Sequence, residues 1–386
     1  MLVSVLFIFY FGYFLLMWRK SREGNFGLSP SEANSIPFVS VIVPAYNEEK
    51  TIVRKLRDLL DQSYPNMEVV VVNDGSNDDT AKIVQSFIDQ NSSHVKVKLF
   101  ALPRREGKAS ALNYACQHCN GEILVISDAD TILGENAIKQ IVQNFGNPKV
   151  GAVTGRLSMV NYEQSSASKL EKSYRNVFDM LRLGESHMDS TPIFNGALMA
   201  LRKSLFYQLK SDTVAEDTEI SLRIREKGYK AIFDPRATVY SFTPTSFKFR
   251  MKQKIRRAQG IIQSLNRHKG ILFNHAYGKY GLVILPCEFF MHIISPILVI
   301  LTALLFLLAL PSAPITLTHI LIIFCLGIII FGLTSVALSY TSRNCALINP
   351  IKILLNFLEH QIFLMLGLFF LLVRKGNPKW VKIKDQ

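Results

Sequence analysis

The chain has 386 residues, which is enough for more than one folding unit, and it is both basic and hydrophobic. Its formal net charge is +14, and 49% of its residues are hydrophobic. A basic balance is common in nucleic-acid-binding proteins, but apolar residues concentrated at the two ends of a chain indicate a membrane protein. Composition therefore argues against nucleic acid as the partner and for a lipid bilayer.

The N-terminal segment predicts a membrane-spanning helix. Residues 1–18 carry no charged side chain, and Arg19, Lys20 and Arg22 follow them. A cleaved signal peptide would place the positive charge before the apolar run, so we expect an uncleaved helix whose positive flank keeps the next residues in the cytoplasm. Residues 19–37 predict a polar linker. The five cysteines indicate no disulfide framework, which agrees with a cytoplasmic domain on an integral protein of the cell membrane.

Residues 38–245 alternate between strand and helix patterns. Apolar runs that predict strands lie at residues 39–46, 67–74, 95–100 and 122–127, and helical patterns lie near residues 48–62, 79–91 and 108–119. Alternation at this spacing indicates βαβ units, so we predict an α/β domain with a mostly parallel sheet flanked by helices. Neither a dinucleotide-binding fingerprint nor a P-loop follows these strands.

The fourth predicted strand ends in two carboxylates, Asp128 and Asp130, separated by one alanine. Ligands of parallel sheets bind at the carboxyl ends of the strands, so both side chains should face a crevice. Carboxylate oxygens suit Mg²⁺ or Mn²⁺, and such ions complete their coordination with water and substrate phosphates. The pattern predicts a metal-bound nucleotide diphosphate. The alternative is a loop whose carboxylate caps the next helix.

Polar side chains also follow the other three predicted strands. Tyr46 and Glu48 follow the first strand, Asp74 ends the second, and Lys108 follows the third. Helix capping alone is a poor explanation for polar residues at four successive strand ends. We therefore expect these side chains to share one crevice.

These motifs resemble those of the inverting glycosyltransferases of family 2. The resemblance continues in Asn195 and Gly196, which Arg202 follows, and in Glu216 and Asp217, which open a predicted helix. It covers about residues 38–260 and implies the GT-A nucleotide-sugar-binding fold. It also implies transfer of a sugar from a nucleotide-diphospho-sugar with inversion at the anomeric carbon.

The resemblance implies a role for each of these residues. Asp217, preceded by Glu216, is the candidate catalytic base, and the alternative for Asp217 is a helix N-cap. Asp130, assisted by Asp128, is the candidate ligand of Mg²⁺ or Mn²⁺, which neutralises the leaving diphosphate. The other candidates are Tyr46, Glu48, Asp74 and Lys108 for the nucleotide-sugar, and Asn195 and Gly196 for the acceptor.

Residues 246–269 predict an amphipathic helix. Apolar residues recur every three or four positions, and the basic residues, with no acidic residue among them, are Lys248, Arg250, Lys252, Lys254, Arg256, Arg257, Arg267 and Lys269. This pattern is typical of a helix that lies in the membrane interface. The alternative is a helix that only anchors the chain to anionic lipid.

The same helix resembles the Q-x-x-R-W motif of membrane-embedded synthases of cellulose, chitin, hyaluronan and poly-N-acetylglucosamine. There the Gln and Arg, here Gln253 and Arg256, face the donor diphosphate, and the Trp stacks on the acceptor sugar. This chain has Arg257 at the Trp position, and we assign all three residues to nucleotide-sugar binding. Arginine binds phosphate bidentately but offers no indole platform. The departure puts processivity in doubt and leaves room for an acceptor that carries phosphate.

The C-terminal part is apolar, and residues 270–373 predict transmembrane and interfacial helices. Residues 281–310 and 315–340 are long enough to span a bilayer, residues 351–373 predict a further spanning or interfacial helix, and residues 374–386 predict a basic cytoplasmic tail. Ionisable residues at membrane depth are candidates to line an acceptor groove or a translocation path, and these are Glu288, His292, Glu359 and His360. The alternative is that they only hydrogen-bond neighbouring helices.

The sequence thus predicts a membrane-integrated inverting β-glycosyltransferase that uses a nucleotide-diphospho-sugar, expected to be UDP-linked. The predicted acceptor is a membrane-delivered glycan, as in polysaccharide synthases. One alternative is transfer of a single sugar to a lipid-linked acceptor on polyprenyl or dolichyl phosphate. An alternative of another class is a catalytically silent membrane partner, against which the joint presence of Asp74, Asp128, Asp130 and Asp217 argues.

Overall fold

The structure is a computed structural model that describes residues 2–23, 36–91, 93–159, 166–241, 247–309 and 350–373. Its strands are β1 (Val39–Ala45), β2 (Met67–Asn73), β3 (Lys96–Ala101), β4 (Ile123–Ser127), β5 (Ile132–Leu133), β6 (Val150–Met159), β7 (Leu198–Arg202) and β8 (Lys230–Ser241). The helices of the domain are α1 (Leu2–Ser21), α2 (Ile52–Leu60), α3 (Thr80–Gln90), α4 (Lys108–His118), α5 (Ala137–Gln143), α6 (Ser166–Met188), α7 (Glu216–Glu226) and α8 (Phe247–Arg267). They are followed by α9 (Leu285–Phe289), α10 (Ser295–Ala309) and α11 (Pro350–Val373), with π-helical turns at Tyr280–Ile284 and Phe290–Ile294.

The strands form one mixed eight-stranded sheet in the order β3-β2-β1-β4-β7-β6-β8-β5. β1 pairs in parallel with β2 and with β4, and β2 pairs in parallel with β3. The parallel pairing of β1 to β4 confirms the predicted α/β arrangement. β7 lies antiparallel between β4 and β6. Because the chain adds β2 and β3 on one side of β1 and β4 on the other, a crevice opens between the ends of β1 and β4.

Burial on both faces explains the apolar runs of the first strands. Successive side chains of a strand point to opposite faces, so Val41 and Val43 pack with Leu56 of α2, while Ile42 packs with Leu112 of α4. All of these side chains are at most 1% exposed. Each stabilises the fold by about 1.5–3 kcal/mol, which is why these strands hold their ends rigidly in place.

Long helices pack on one another beside this sheet. α1 packs against α6, where Gly184 lies so close to Met17 that an added Cβ would be 2.3 Å from the Met17 carbonyl oxygen. α8 packs against α11, where a Cβ at Gly367 would be 2.9 Å from the Cβ of Ala258. Small residues at these crossings allow the helices to approach closely.

One helix among the described residues, Tyr280–Leu305, is long and apolar enough to cross a membrane, and Glu359–Val373 is a shorter apolar helix. α1 covers the predicted N-terminal segment, and its crossing of a bilayer stays a prediction. The predicted segments that lie outside the described residues are most of the linker (24–35), the span at 315–340 and the tail at 374–386.

Candidate active site

The candidate residues at the strand ends lie along one edge of the sheet, as predicted. The Asp74 N–H after β2 donates to the Ala45 carbonyl at the end of β1 at 2.8 Å. The Asp128 N–H after β4 donates to the Ala197 carbonyl, just before β7, at 3.4 Å. The register of the parallel strands therefore brings residues that are far apart in sequence to a common edge.

Lys108 links two of the predicted motifs. Its ammonium nitrogen lies 2.7 Å from Asp128 Oδ1, 2.8 Å from Glu216 Oε1 and 3.4 Å from the carbonyl oxygen of Gly196. Burial alone would lower the pKa of Lys108, but the carboxylates of Asp128 and Glu216 outweigh it and raise that pKa. One fixed positive charge thus joins the end of β4 to the start of α7.

Asp128 and Asp130 are the predicted ligands of a cation, and this assignment stays a prediction. Burial, with the neighbouring carboxylates of Asp128 and Glu48, raises the pKa of Asp130 to about 7. Crowded carboxylates of this kind gain from a bound cation. No three His, Cys, Asp or Glu side chains within the described ranges form a complete metal site. The residues fit Mg²⁺ or Mn²⁺ with two protein carboxylates, the diphosphate and water completing the shell.

Asp217 lies in the first turn of α7, partly exposed toward the crevice. Ala215 occupies the N-cap position, so the alternative of Asp217 as the helix N-cap is wrong. Its Oδ1 accepts the Thr218 N–H at 2.7 Å, which fixes the side chain. Burial and the adjacent Glu216 raise the pKa of Asp217, which makes its carboxylate a stronger proton acceptor.

Gly196 lies immediately beside this carboxylate, and Asn195 precedes it in the chain. A Cβ at Gly196 would be 3.3 Å from Asp217 Oδ2 and 3.3 Å from Lys108 Nζ. The Asn195 N–H donates to Thr154 Oγ1 at 3.0 Å, which ties the segment to β6. The buried Asn195 Nδ2 has no hydrogen-bond partner among the described residues. An amide without a partner at this position suits a polar ligand.

The predicted donor-side residues are held by contacts between loops. Asp74 is buried, and its carboxylate accepts the N–H groups of Glu106 and Gly107, with distances of 2.7 and 2.9 Å. Burial raises the pKa of Asp74. The Tyr46 ring lies 4.0 Å below the Arg105 guanidinium. Asp74 therefore orients the turn from which Lys108 projects, in addition to any contact with a nucleoside.

Glu48 is also buried, at 2% exposure. Its backbone N–H donates to Thr80 Oγ1 at 2.7 Å, and its Oε2 accepts from Thr51 Oγ1 at 2.5 Å. The carboxylate adds to the negative charge around Asp130. Glu48 therefore lies in the electrostatic surroundings of Asp130, and its role in nucleotide-sugar binding stays a prediction.

Helix α8 presents the three predicted motif residues at different depths. Gln253 and Arg257 are exposed, and Arg256 is partly buried. Burial lowers the pKa of Arg256, which lies in the electrostatic field of Glu216 and Asp217. The structure therefore brings Arg256 toward the crevice.

The packing of α8 explains why this helix is next to the candidate base. A Cβ at Gly260 would be 2.5 Å from the Cβ of Ala215, so the two backbones touch just before Asp217. Ala258 and Ile262, part of the predicted apolar face, pack on Leu364 of α11. A position of this helix in the membrane interface stays a prediction.

The ionisable residues of the apolar helices lie apart from the strand ends. Glu288 and His292 are buried, with 3.1 Å between His292 Nδ1 and Glu288 Oε2. The His360 ring lies 6.0 Å from the His292 ring, whereas Glu359 pairs with Lys254 at 3.2 Å. A role for them in an acceptor groove or translocation path stays a prediction.

Lys55 is a site residue that the sequence analysis missed. Its fully buried ammonium donates to the Thr131 carbonyl at 3.2 Å and lies 3.4 Å from Asp58 Oδ2. It supports the turn that follows Asp130. The sequence signal for the burial of Lys55 is its position three residues after Ile52, because this helical spacing places both side chains on the same face of α2.

Comparison with known proteins agrees with this geometry. Residues 37–260 match the family described as glycosyltransferase like family 2. The poly-beta-1,6-N-acetyl-D-glucosamine synthase of Staphylococcus epidermidis is 29% identical over 238 residues, which cover 60% of this chain and 57% of that protein. The Staphylococcus aureus (strain COL) protein of the same name is 28% identical over 253 residues, or 64% and 60% of the two chains. This chain thus spans less than two thirds of the length of these relatives.

A solved structure matches over almost the whole chain. It is the mannosyltransferase PcManGT from Pyrobaculum calidifontis in complex with GDP-Man and Mn²⁺, with a TM-score of 0.76 and 26% identity. The match covers 96% of this chain and 97% of that one. The family match spans more than half of this chain, and its mixed sheet with flanking helices is GT-A-like. The chain belongs to glycosyltransferase family 2 and is a glycosyltransferase.

Proposed function

We propose that this glycosyltransferase transfers a sugar, with inversion, from a nucleotide-diphospho-sugar to a hydroxyl group of an acceptor delivered at a membrane. The observation that carries the proposal is the ion network around Lys108. One ammonium group reaches both the strand end that carries Asp128 and the helix start that carries Asp217. A donor diphosphate and an acceptor hydroxyl therefore have candidate partners within a single crevice.

In the proposed reaction Asp217 accepts the proton of the acceptor hydroxyl. The hydroxyl oxygen forms a bond to the anomeric carbon from the face opposite the diphosphate. The bond between that carbon and the diphosphate oxygen breaks, and its electron pair leaves with the nucleoside diphosphate. Inversion follows from this direction of attack. The raised pKa of Asp217 supports the role, because a stronger base removes the proton more readily.

The remaining candidate residues are proposed to bind the donor. Asp130 and Asp128 would hold Mg²⁺ or Mn²⁺, which neutralises charge on the leaving diphosphate when it is bound. Gln253 and Arg256 are proposed to bind the diphosphate, and Tyr46 to bind the nucleoside. UDP is the expected nucleotide. The GDP-Man bound by the Pyrobaculum protein makes a GDP-sugar the second donor to test.

The acceptor is proposed to be a growing glycan, because the poly-N-acetylglucosamine synthases are relatives. A specific observation favours a second candidate, the transfer of one sugar to a lipid-linked acceptor. Arg257 stands at the position of the Trp in the Q-x-x-R-W motif that this helix resembles. The product then separates the two candidates, since a ladder indicates a polymer and a single lipid-bound species indicates one transfer.

The test is an assay of the purified full-length chain with Mn²⁺ and labelled UDP- and GDP-sugars. We expect one donor to be consumed, and we expect EDTA to abolish transfer. Asp217→Asn should lower the transfer rate by about 10²–10⁴-fold, because the amide cannot accept the proton. Donor binding by the variant, measured by calorimetry, should stay within about threefold of wild type because the base contacts the acceptor.

Asp212→Asn is the matched control, since Asp212 is an exposed carboxylate that pairs with Arg267 at 2.7 Å outside the crevice. It should retain the wild-type rate. Full activity of Asp217→Asn would remove the base assignment. Absence of transfer from every donor by the wild-type chain would support the catalytically silent alternative and overturn the proposed function.

A further inference from the structure

Arg182 of α6 and Arg257 of α8 are charged neighbours of Asp217. Nearby carboxylates balance the positive charge of Arg182 only in part. Arg182 of α6 is 7% exposed, and its buried Nε has no hydrogen-bond partner among the residues that the structure describes. The nearest carboxylate oxygen in its ion pairs belongs to Asp179, at 4.0 Å. That carboxylate also serves Arg156, whose Nε is closer at 3.2 Å.

A buried guanidinium without a close partner is costly, because desolvation of a charge requires compensation. Burial, together with the positive charge of Arg257, lowers the pKa of Arg182, and Asp179 and Asp217 oppose this only in part. Two guanidinium groups that repel each other gain from an anion between them. The protein's own described side chains supply no such anion at hydrogen-bonding distance from Arg182 Nε.

The charged neighbours of Arg256 and Arg182 differ, although both arginines lie in the field of Asp217. Arg256 lies in the field of Glu216, Asp217 and Asp128, which ties it to the crevice. Arg182 also lies in the field of Asp217, but its other charged neighbours are Arg257, Asp179 and Glu185. Glu185 accepts the Tyr13 O–H of α1 at 2.6 Å, so this part of α6 lies against the N-terminal apolar helix. Arg257 also acts on His360 of α11. Arg182 therefore lies on the side of Asp217 where α6 packs on α1, and Arg257 is a neighbouring cation. An acceptor delivered from a membrane would reach Asp217 from this side.

We propose that Arg182 and Arg257 bind the phosphate group of a lipid-linked glycan acceptor and thereby hold its sugar hydroxyl at Asp217. This inference rests on the proposed function and names its acceptor class. Guanidinium groups bind phosphate through paired hydrogen bonds, which suits a fixed orientation. A base at Asp217 fits a hydroxyl nucleophile on the glycan, since a phosphate oxygen is already deprotonated and needs no base.

The experiment compares two acceptors that differ only in the phosphate. They are a disaccharide of N-acetylglucosamine joined through diphosphate to a polyprenyl chain, and the same disaccharide joined to the same polyprenyl chain through a neutral ether linkage. Arg182→Gln should raise KM for the phosphorylated acceptor at least about tenfold, as expected for loss of one charged hydrogen-bonding group. KM for the neutral acceptor and KM for the donor should stay unchanged. Wild type should prefer the phosphorylated acceptor.

Arg182→Lys keeps the charge but not the paired hydrogen bonds, so it should give an intermediate KM. Thermal melting will report whether Arg182→Gln is folded. If it is not, the KM values of Arg182→Lys decide the test. Arg223→Gln is the control, because Arg223 pairs with Glu226 on the outer side of α7 at 2.8 Å. It should behave as wild type.

Equal KM values for the two acceptors in wild type would overturn the inference and leave the proposed transfer intact. Equal increases in KM for the phosphorylated and the neutral acceptor, in both Arg182→Gln and Arg182→Lys, would likewise overturn the inference and leave the proposed transfer intact. Stimulation of the neutral acceptor by inorganic phosphate would show a site for a free anion and would also overturn it. Failure of the proposed function has a different signature, which is no transfer from any donor to either acceptor.

Discussion

The space beside the candidate base depends on the absence of a side chain at Gly196. A Cβ there would approach both Asp217 Oδ2 and Lys108 Nζ to 3.3 Å, which is closer than ordinary van der Waals contact. Gly196 does not have a positive φ, so alanine meets no backbone strain. Gly196→Ala should therefore leave the fold intact and displace the reacting groups.

We expect Gly196→Ala to lower kcat by about tenfold to a hundredfold, because small displacements of positioned groups are costly in a transition state. Steady-state kinetics and thermal melting of the same preparation measure this. Gly270→Ala is the control, since a Cβ at Gly270 would meet nothing within 4 Å. Wild-type kcat in Gly196→Ala would mean that the acceptor does not pass beside this residue.

Residue types at strand ends could be predicted from sequence, but their partners could not. Asp74 was assigned to the nucleotide, and the structure adds that it accepts N–H groups of Glu106 and Gly107, about thirty residues away. Lys108 is predicted to bind the nucleotide-sugar, and the structure adds its ion pairs with Asp128, after a different strand, and with Glu216, on a distant helix. Hydrogen bonds of this range depend on the assembled sheet, and local patterns do not encode them.

At the scale of elements, α7 and α8 are joined by a buried histidine. His268, just after α8, lies 3.2 Å from Glu219 Oε1 and 2.9 Å from Glu226 Oε1, both on α7. Arg267 is the other cation there, 3.6 Å from Glu219. Burial alone would lower the pKa of His268, but the two glutamates outweigh it and raise that pKa.

This pair of contacts predicts a pH-dependent stability. Because the folded-state pKa lies above the unfolded value of about 6.5, the stabilisation is fully present below that value and is lost as pH rises through the folded-state pKa. His268→Gln should cost about 1.5–3 kcal/mol near pH 6 and less at pH 9. Thermal melting of both proteins across this range measures the difference. His275→Gln, at an exposed position, is the control. A pH-independent difference would contradict the ion-pair account.

Strands and helices with a strong local hydrophobic period could be predicted from the sequence, whereas pairings between distant strands could not. β1 to β4 and α2 to α4 follow from apolar runs and helical spacing near residues 39–127. β7 lies antiparallel between β4 and β6, and the residues that it pairs with are more than forty positions away in the sequence. β5 has two residues and is too short to show a period.

At the scale of the whole molecule, hydrogen bonds join three apolar helices. Tyr10 of α1 contacts Ser295 Oγ of α10 at 2.9 Å and accepts from Gln361 Nε2 of α11 at 3.1 Å. Polar contacts of this kind hold helices together where water is scarce. Leu308 and Leu372 are 74% and 79% exposed, so the outer surface of this layer is apolar. The arrangement suits lipid around the helices and water around the sheet.

The prediction that the chain is membrane-integrated, with its sheet domain in the cytoplasm, can be tested by fractionation and by labelling. Alkaline carbonate should leave the chain in the membrane pellet, because apolar helices that span a bilayer are not released with peripheral proteins. The Lys82 side chain on α3 is 84% exposed, so Lys82→Cys offers a reporter on the sheet domain. In a background with the accessible native cysteines replaced by serine, a membrane-impermeant maleimide should label it in inside-out vesicles.

Intact cells should give no labelling of Lys82→Cys, and detergent should give full labelling, which controls for access to the thiol. The expected asymmetry has a physical reason, since the positive residues Arg19 and Lys20 after the N-terminal apolar segment resist transfer to the outside. Labelling in intact cells would place the sheet domain outside, away from cytoplasmic nucleotide-sugars. Release by carbonate would instead mean that the apolar helices lie on the membrane, and the acceptor would then have to reach Asp217 from the surface.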